Sequence, residues 1–278
     1  MNSLKNKKVL VTGGARGIGK QIALDFAKEG ADIIICDLDK SFFDKENFRK
    51  NVNDIENLGV SCWGYCLDVT KFDDIVKVRE QILNDVGKID VLVNNAGVVF
   101  GGKFLDVSIE KHQLTYNINI QGIVNMLYIF LQDLIDQPNS HIVNIASASG
   151  FTALPGGTTY ASSKAAVSSL SESLRLELKK DGHHHVGMTI VSPAYVDTGM
   201  FDGVKEPTLI PMLTPEKLSK KIIKAVYSNK LFVLEPAFIK IIPLIKAVFP
   251  RFLYEFLGNV LGGYNSMDFW EGHSKVKK

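Results

Sequence analysis

Short runs of consecutive apolar residues alternate along this chain with longer segments in which apolar positions recur every three or four residues. Lys8–Thr12 is the first such run; it is rich in valine, ends at Gly13 and Gly14, and reads as a strand. Ile18–Glu29 follows with Ile18, Ile22, Ala23, Phe26 and Ala27 at helical spacing, and Gly30 stops it. Ala31–Cys36, Val60–Cys66 and Ile89–Val93 read as the second, third and fourth strands. A long helix is expected over Ser108–Asp136, a fifth strand over Ser140–Ala146 and a second long helix over Tyr160–Lys180. Val186–Ser192 gives a sixth strand and Lys230–Leu234 a weaker seventh. Strands that are apolar on both faces suit a parallel sheet covered by helices. The repeated β-α units therefore predict an α/β fold, a doubly wound parallel sheet of about seven strands with helices on both faces. No repeat or linker divides the chain. A single domain over 1–278 is expected, with a core at about 5–235 and an apolar C-terminal extension at about 236–278.

Composition narrows the function classes. A hydrophobic share of 46% over 278 residues is enough for a large core. The 32 basic and 30 acidic residues leave a net charge of +2, without the basic excess of a nucleic-acid binder, so no nucleic-acid partner is expected. Cys36, Cys62 and Cys66 imply no disulfide framework and are expected to be buried, reduced thiols. Met1 to Lys8 is polar and lacks the apolar core of a signal peptide. No uncharged apolar run reaches about 18 residues, so a spanning helix is not expected and a cytoplasmic location is.

Candidate chemistry begins at Thr12–Gly19, TGGARGIG, between the first strand and the first helix. Glycines allow a tight turn that a pyrophosphate can approach, and the helix N-terminus offers free N–H groups. Asp37 follows twenty residues after Gly17, at the end of the second strand, where a carboxylate can accept from ribose hydroxyls. It would repel a 2′-phosphate, which favours NAD over NADP, whereas Arg16 in the turn is the opposing clue. Tyr160 and Lys164 stand four apart, on one face of the second long helix. A tyrosine is a poor base at neutral pH, and a nearby ammonium favours its phenolate. Alone, such a pair is ordinarily structural. Here Ser147 follows the fifth strand, where open α/β sheets bind ligands. Asn119 stands mid-helix, where asparagine costs propensity; it either forms part of a solvated face or steadies Lys164 or a relay water.

Together these features resemble the short-chain dehydrogenase/reductase family. The matching residues are TGGARGIG at Thr12–Gly19, Asp37, Asp68-Val69, NNAG at Asn94–Gly97, Asn119, Ser147, YASSK at Tyr160–Lys164, and Pro193 with Thr198. They keep the family's order over about residues 5–235. The resemblance implies a Rossmann fold and an NAD- or NADP-dependent oxidoreductase acting on alcohol or carbonyl carbons. It implies a catalytic set of Asn119, Ser147, Tyr160 and Lys164, with Ser147 and Tyr160 meeting the substrate oxygen. It implies cofactor contacts from Gly13, Arg16, Gly17, Ile18, Gly19, Asp37, Asp68, Val69, Asn95, Ala96, Gly97, Tyr160, Lys164, Pro193, Val196 and Thr198. Asp68 would sit near the adenine and Asn95 near the adenosine ribose. Ala194 departs from the family, which commonly has glycine there, and could reshape the nicotinamide loop.

Two segments bear on the substrate. Thr198–Pro215 carries Met200, Phe201, Leu209, Ile210, Met212 and Leu213 and is expected to be a mobile apolar flap over the nicotinamide. Pro236–Leu261 is strongly apolar; its part before Pro250 reads as an amphipathic helix kinked at Pro243, with Lys240 and Lys246 on its polar side. Either it packs on its own core or a neighbouring subunit and walls the pocket, or it lies in a membrane interface. A hydrophobic substrate (steroid, retinoid or lipid-like) and a homodimer or homotetramer are expected. The alternatives are an epimerase or dehydratase of the same fold, a silent NAD-binding protein and a membrane-surface protein. His183–His185 read as a solvated turn rather than a metal site, and Trp63 and Trp270 as packing residues.

Overall fold

The computed structural model describes residues 1–207 and 211–272. Seven parallel strands form one sheet: β1 (Lys8–Thr12), β2 (Asp32–Asp37), β3 (Cys62–Cys66), β4 (Val91–Asn94), β5 (Ser140–Ile145), β6 (Val186–Pro193) and β7 (Phe232–Glu235). Their order is β3-β2-β1-β4-β5-β6-β7. The order reverses between β1 and β4, and the crevice at such a point is where open α/β sheets bind ligands. The inner strands bury both faces, whereas the edge strands β3 and β7 are only partly covered. Val9, Val11, Ile33, Ile35, Val91 and Val93 join one core, whereas Leu10, Ile34, Leu92 and Ile142 join the other. This is why the strands read as unbroken apolar runs rather than alternating ones.

The helices are α1 (Gly17–Lys28), α2 (Lys45–Glu56), α3 (Phe72–Asp85), α4 (Ile109–Tyr116), α5 (Gly122–Ile135), α6 (Thr158–Lys180), α7 (Pro215–Tyr227), α8 (Ile242–Val248) and α9 (Arg251–Val260). On one side of the sheet α1, α2 and α7 supply Phe26, Val52 and Ile222 to the first core. On the other, α3, α5 and α6 supply Ile75, Phe130 and Val167 to the second. The apolar pattern leaves α2, α3 and α7 unassigned. α7 has a readable start, because Thr214 caps it through the Lys217 amide at 3.3 Å and Pro215 stands in its first turn.

Three expectations are corrected. Only Cys36 is fully buried; Cys62 is partly covered and Cys66, at the end of the edge strand β3, is exposed. The long helix is not uniform, since α4 and α5 are joined by a π-turn over Asn117–Gln121. Pro243 does not kink a helix but stands in the first turn of α8, where a missing N–H costs nothing. By length and composition Ile109–Ile135 could cross a membrane, yet half of its most apolar window is buried. Ile123, Met126, Phe130 and Leu134 of α5 belong to the second core.

Candidate active site

The glycine turn is shaped by contacts that need glycine. Gly13 and Gly17 lie in the left-handed region, at φ 63° and 56°. A Cβ on Gly19 would overlap the Gly13 carbonyl oxygen, so a side chain there would break the approach of α1 to the turn. The end of β4 clamps the same turn. Thr12 Oγ1 accepts from the Asn95 and Ala96 amides at 3.0 and 3.1 Å, and Asn95 Nδ2 donates to the Thr12 and Gly13 carbonyls at 2.9 and 3.0 Å. Asp37 Oδ2 accepts from the Ala15 amide at 3.0 Å, which holds its carboxylate beside the turn. Arg16 is exposed at the head of α1. A second carboxylate lies near it: Asp39, held below the usual range by its hydrogen bonds from Ser41 and, in smaller part, by Arg16.

All the residues expected to meet the dinucleotide, except Gly19, line one groove of about 290 Å³. Gly19 is buried behind it, in a packing position. Leu38, Leu67, Val98 and Ile118 also line the groove, and no motif in the sequence marks them. A side chain at Gly97 would press on Asn119 Oδ1 at 3.2 Å and Lys164 Nζ at 3.4 Å, so glycine keeps the groove floor open there. Ala194 does not require the glycine that commonly stands there. It is not among the positive-φ residues, and its amide donates to the Glu235 carbonyl of β7 at 2.7 Å.

The four candidate catalytic residues converge where the groove ends. The π-turn turns Asn119 inward; it is fully buried. Its Oδ1 accepts from the Val98 amide at 2.8 Å, and its Nδ2 donates to the Val98 carbonyl and to Ser163 Oγ, each at 3.0 Å. Ser163 donates in turn to the Tyr160 carbonyl at 2.7 Å. π-turns recur at functional positions because the widened turn redirects one side chain. Lys164 Nζ is also buried, donates to the Ile145 carbonyl at 2.7 Å and stands 5.8 Å from the centre of the Tyr160 ring. Burial pushes Lys164 down to about 8. Burial likewise pushes Tyr160 up to about 12, against the pull of a hydrogen bond from Ser147. A simple lowering of the Tyr160 phenol by the neighbouring ammonium is therefore not what the site shows; desolvation is the largest influence on both groups.

Tyr160 also faces a second space. A cavity of about 160 Å³ begins at Ser147, Ser149 and Tyr160 and is walled largely by apolar side chains. Phe238, Ile239, Ile242, Ile245, Leu257 and Leu261 of the C-terminal segment supply much of that wall. Two polar pairs within it satisfy each other: Tyr195 with Ser266 at 2.7 Å, and Thr152 with Tyr254. Phe201 stands edge-on to Tyr160, with ring centres 5.9 Å apart, and lines both spaces. Met200 and Phe201, after β6, thus line the cleft, and the described part of this segment is tied to the C-terminal tail. Trp270 Nε1 donates to the Met200 carbonyl at 3.1 Å, the Glu271 amide to the Asp202 carbonyl at 2.9 Å, and the Lys205 amide to the Ser266 carbonyl at 3.1 Å. Leu209 and Ile210 of the expected flap lie outside the described residues.

A dinucleotide-type groove that meets an apolar cavity at a buried Tyr-Lys-Ser-Asn cluster defines an oxidoreductase site. The family model for short chain dehydrogenases matches residues 7–208, and the chain belongs to that family of NAD(P)-dependent enzymes acting on alcohols and carbonyls. It is 30% identical over 269 residues to the epidermal retinol dehydrogenase 2 of Mus musculus, spanning 96% of this chain and 86% of that one. It is 28% identical over 251 residues to the 17-beta-hydroxysteroid dehydrogenase 13 of Rattus norvegicus, spanning 90% and 81%. Among solved structures, a short chain dehydrogenase/reductase from Burkholderia phymatum in complex with NAD is similar with a TM-score of 0.79 at 24% identity. That match covers 89% of this chain and 95% of the other.

Proposed function

We propose that this chain is a single-domain, NAD-preferring dehydrogenase/reductase that interconverts a secondary alcohol and its carbonyl on a retinoid, steroid or similarly lipid-like substrate. The observation that carries this reading is the cavity at Tyr160. Its described polar side chains away from Ser147, Ser149 and Tyr160 are largely engaged with one another, so the body of the substrate must be apolar. The retinol and steroid relatives point the same way. The groove suits a nicotinamide dinucleotide, since glycine at 13, 17, 19 and 97 leaves a backbone cradle that side chains would fill. When bound there, the nicotinamide accepts or donates the hydride.

The chain's own residues then bind and move the proton. Ser147 and Tyr160 receive the substrate oxygen at the cavity mouth. Tyr160 gives its proton to a carbonyl oxygen, or takes one from a hydroxyl. Lys164 would hold the ribose hydroxyls of that cofactor and keeps its ammonium beside Tyr160. Asn119, through Val98 and Ser163, fixes the helix that carries both. Asp37 at the end of β2, with Asp39 beside Arg16, favours a free 2′-hydroxyl over a 2′-phosphate.

Mixing the protein with NAD or NADP and all-trans-retinol, a steroid alcohol and a 3-hydroxyacyl compound tests this through the absorbance of the reduced cofactor. Turnover is expected with at least one of the three and a higher kcat/KM with NAD. Asp37→Ala should erode that preference about tenfold, the scale of one charge-assisted contact. Higher kcat/KM with NADP in the unmodified protein defeats the cofactor assignment. Failure of all three alcohols with bound NAD defeats the substrate class.

The outer side of the same C-terminal segment supports contact with a membrane surface from the cytoplasmic side. Leu244, Val248, Phe252 and Phe256 are 64%, 69%, 75% and 61% exposed, while Ile242 and Leu257 of the same helices line the cavity. Lys240, Lys246 and Arg251 are exposed around them and would meet anionic headgroups. Replacing Phe252 and Phe256 by serine leaves the inner wall intact. Co-sedimentation with phosphatidylserine-containing vesicles should fall about tenfold or more, given about 1.5–3 kcal/mol per buried aromatic side chain. Equal partitioning of both proteins, or none by either, eliminates this contact. A homodimer or homotetramer is the assembly we favour, because Tyr116, Val124 and Tyr128 stay exposed along the long helix.

A further inference from the structure

The geometry points to Ser149 as a positioning residue that makes Ser147 an obligate hydrogen-bond donor toward the reacting oxygen. The inference rests on the proposed role of Ser147 and Tyr160. Ser147 leaves β5 with an extended backbone, φ −163°, and caps the short 3-10 turn Ala148–Gly150. Its Oγ accepts from the Ser149 amide at 3.2 Å and from Ser149 Oγ at 3.0 Å. A hydroxyl has one proton and two acceptor lone pairs. Ser149 therefore engages both lone pairs of Ser147 and leaves only its proton to give. That proton has two resting acceptors, the Tyr160 phenol oxygen and the Pro193 carbonyl at 3.5 Å, the latter at the limit of hydrogen bonding. A substrate oxygen arriving between Ser147 and Tyr160 thus meets two O–H donors.

The polarity of this arrangement matters for the chemistry. In reduction, negative charge grows on the carbonyl oxygen. Ser147 can only donate to it, while Tyr160 delivers the proton that is transferred. In oxidation, the substrate hydroxyl has one proton. With the Ser147 lone pairs filled, that proton is directed to Tyr160 rather than being lost to an unproductive bond with Ser147. Without Ser149, Ser147 could accept from either Tyr160 or the substrate. Ser149 is held where it is needed. It is 9% exposed, and the next residue, Gly150, is pressed against α6, where a Cβ would come 3.1 Å from the Lys164 and Ala165 backbone. The turn and the helix that carries Tyr160 are therefore one packed unit. The groups that face Tyr160 are Ser147, Lys164, Tyr195 and Phe201.

Ser149 also lines the cavity, so direct contact with substrate is the competing role. A double-mutant cycle separates them. With all-trans-retinol and NAD, Ser149→Ala should lower kcat about tenfold and change KM less than about twofold, because the lost donation matters most as charge develops. In a Ser147→Ala background the same substitution should cost nothing further. Losses that multiply, or an unchanged kcat, overturn the proposal. A second readout needs neither substrate nor cofactor: ultraviolet difference titration of the Tyr160 phenol, referenced to Tyr160→Phe. Ser149→Ala should raise its midpoint, and Ser147→Ala should raise it equally with or without Ser149. A midpoint unmoved by Ser149→Ala overturns the proposal. If retinol is not turned over at all, it is the substrate assignment that fails, and the titration still decides the link between the two serines.

Discussion

Tyr160→Phe is expected to retain NAD binding and to lose turnover by a factor of about 10² to 10⁴, the range supplied by a positioned acid or base. The phenol oxygen stands where the groove and the cavity meet, and among the described residues Tyr160 is the one ionisable side chain that lines both. Phenylalanine keeps the ring against Phe201 and removes only the oxygen that carries the proton. Affinity for NAD, followed by quenching of protein fluorescence, should change less than about threefold, since other groove residues and the glycine turn are untouched. In steady-state kinetics kcat should collapse with little change in KM, the signature of an interaction made in the transition state. Turnover within about tenfold of the unmodified protein would remove Tyr160 from the chemistry.

Lys164→Met should do two kinds of damage, and the pH profile separates them. Burial pushes Lys164 down to about 8 and Tyr160 up to about 12. The proton lost near pH 8 is therefore chiefly that of the Lys164 ammonium, and Tyr160 keeps its own through that step. Reduction needs the protonated phenol with the ammonium beside it, and oxidation needs the phenolate. Reduction should therefore fall as pH rises through about 8, whereas oxidation should go on rising above that pH as the phenolate fraction grows. In Lys164→Met the fall in reduction near pH 8 should disappear, because the group that titrates there is gone. At pH 7 the loss of turnover should be about 10- to 10²-fold, from about 1.5–3 kcal/mol for a hydrogen bond to a charged group. KM for NAD should rise as well, because the ammonium would no longer be there to meet the ribose. A reductive profile that still falls near pH 8 in Lys164→Met would show that the lysine is not the group that titrates there.

Much of this site is legible in the sequence, for local physical reasons. The turn at Thr12–Gly19 needs positive φ and close approach, and glycine is the residue that allows both. Tyr160 and Lys164 share a helix face through spacing alone. Asp37 follows the strand that must end beside the turn, and its bond to the Ala15 amide shows the consequence. Asn119 stands out in the sequence only as a costly residue in a helix. The π-turn that aims it inward depends on Val98 and Ser163, which are distant in sequence, so no local pattern announces it. Ser149 is silent in the sequence because its partner is a lone pair two residues away, which no spacing rule marks.

The catalytic set as a whole rests on the family resemblance, and the apolar pattern leaves α2, α3 and α7 unassigned, whereas the succession of strands, the glycine turn and the Tyr160–Lys164 pair follow from periodicity, dihedral preference or spacing within a few residues. Such short-range physics does not wait for the chain to close, which is why these features can be read along the chain. What fills and walls the second space is different. Apolarity shows that Pro236–Leu261 must be covered but not by what, since hydrophobic burial has no direction. Folding set Ile242 and Leu257 around the cavity and left Phe252 and Phe256 facing outward. It also joined Trp270 to Met200 and Tyr254 to Thr152, pairs separated by 70 and 102 residues, which only the closed chain brings within hydrogen-bonding distance.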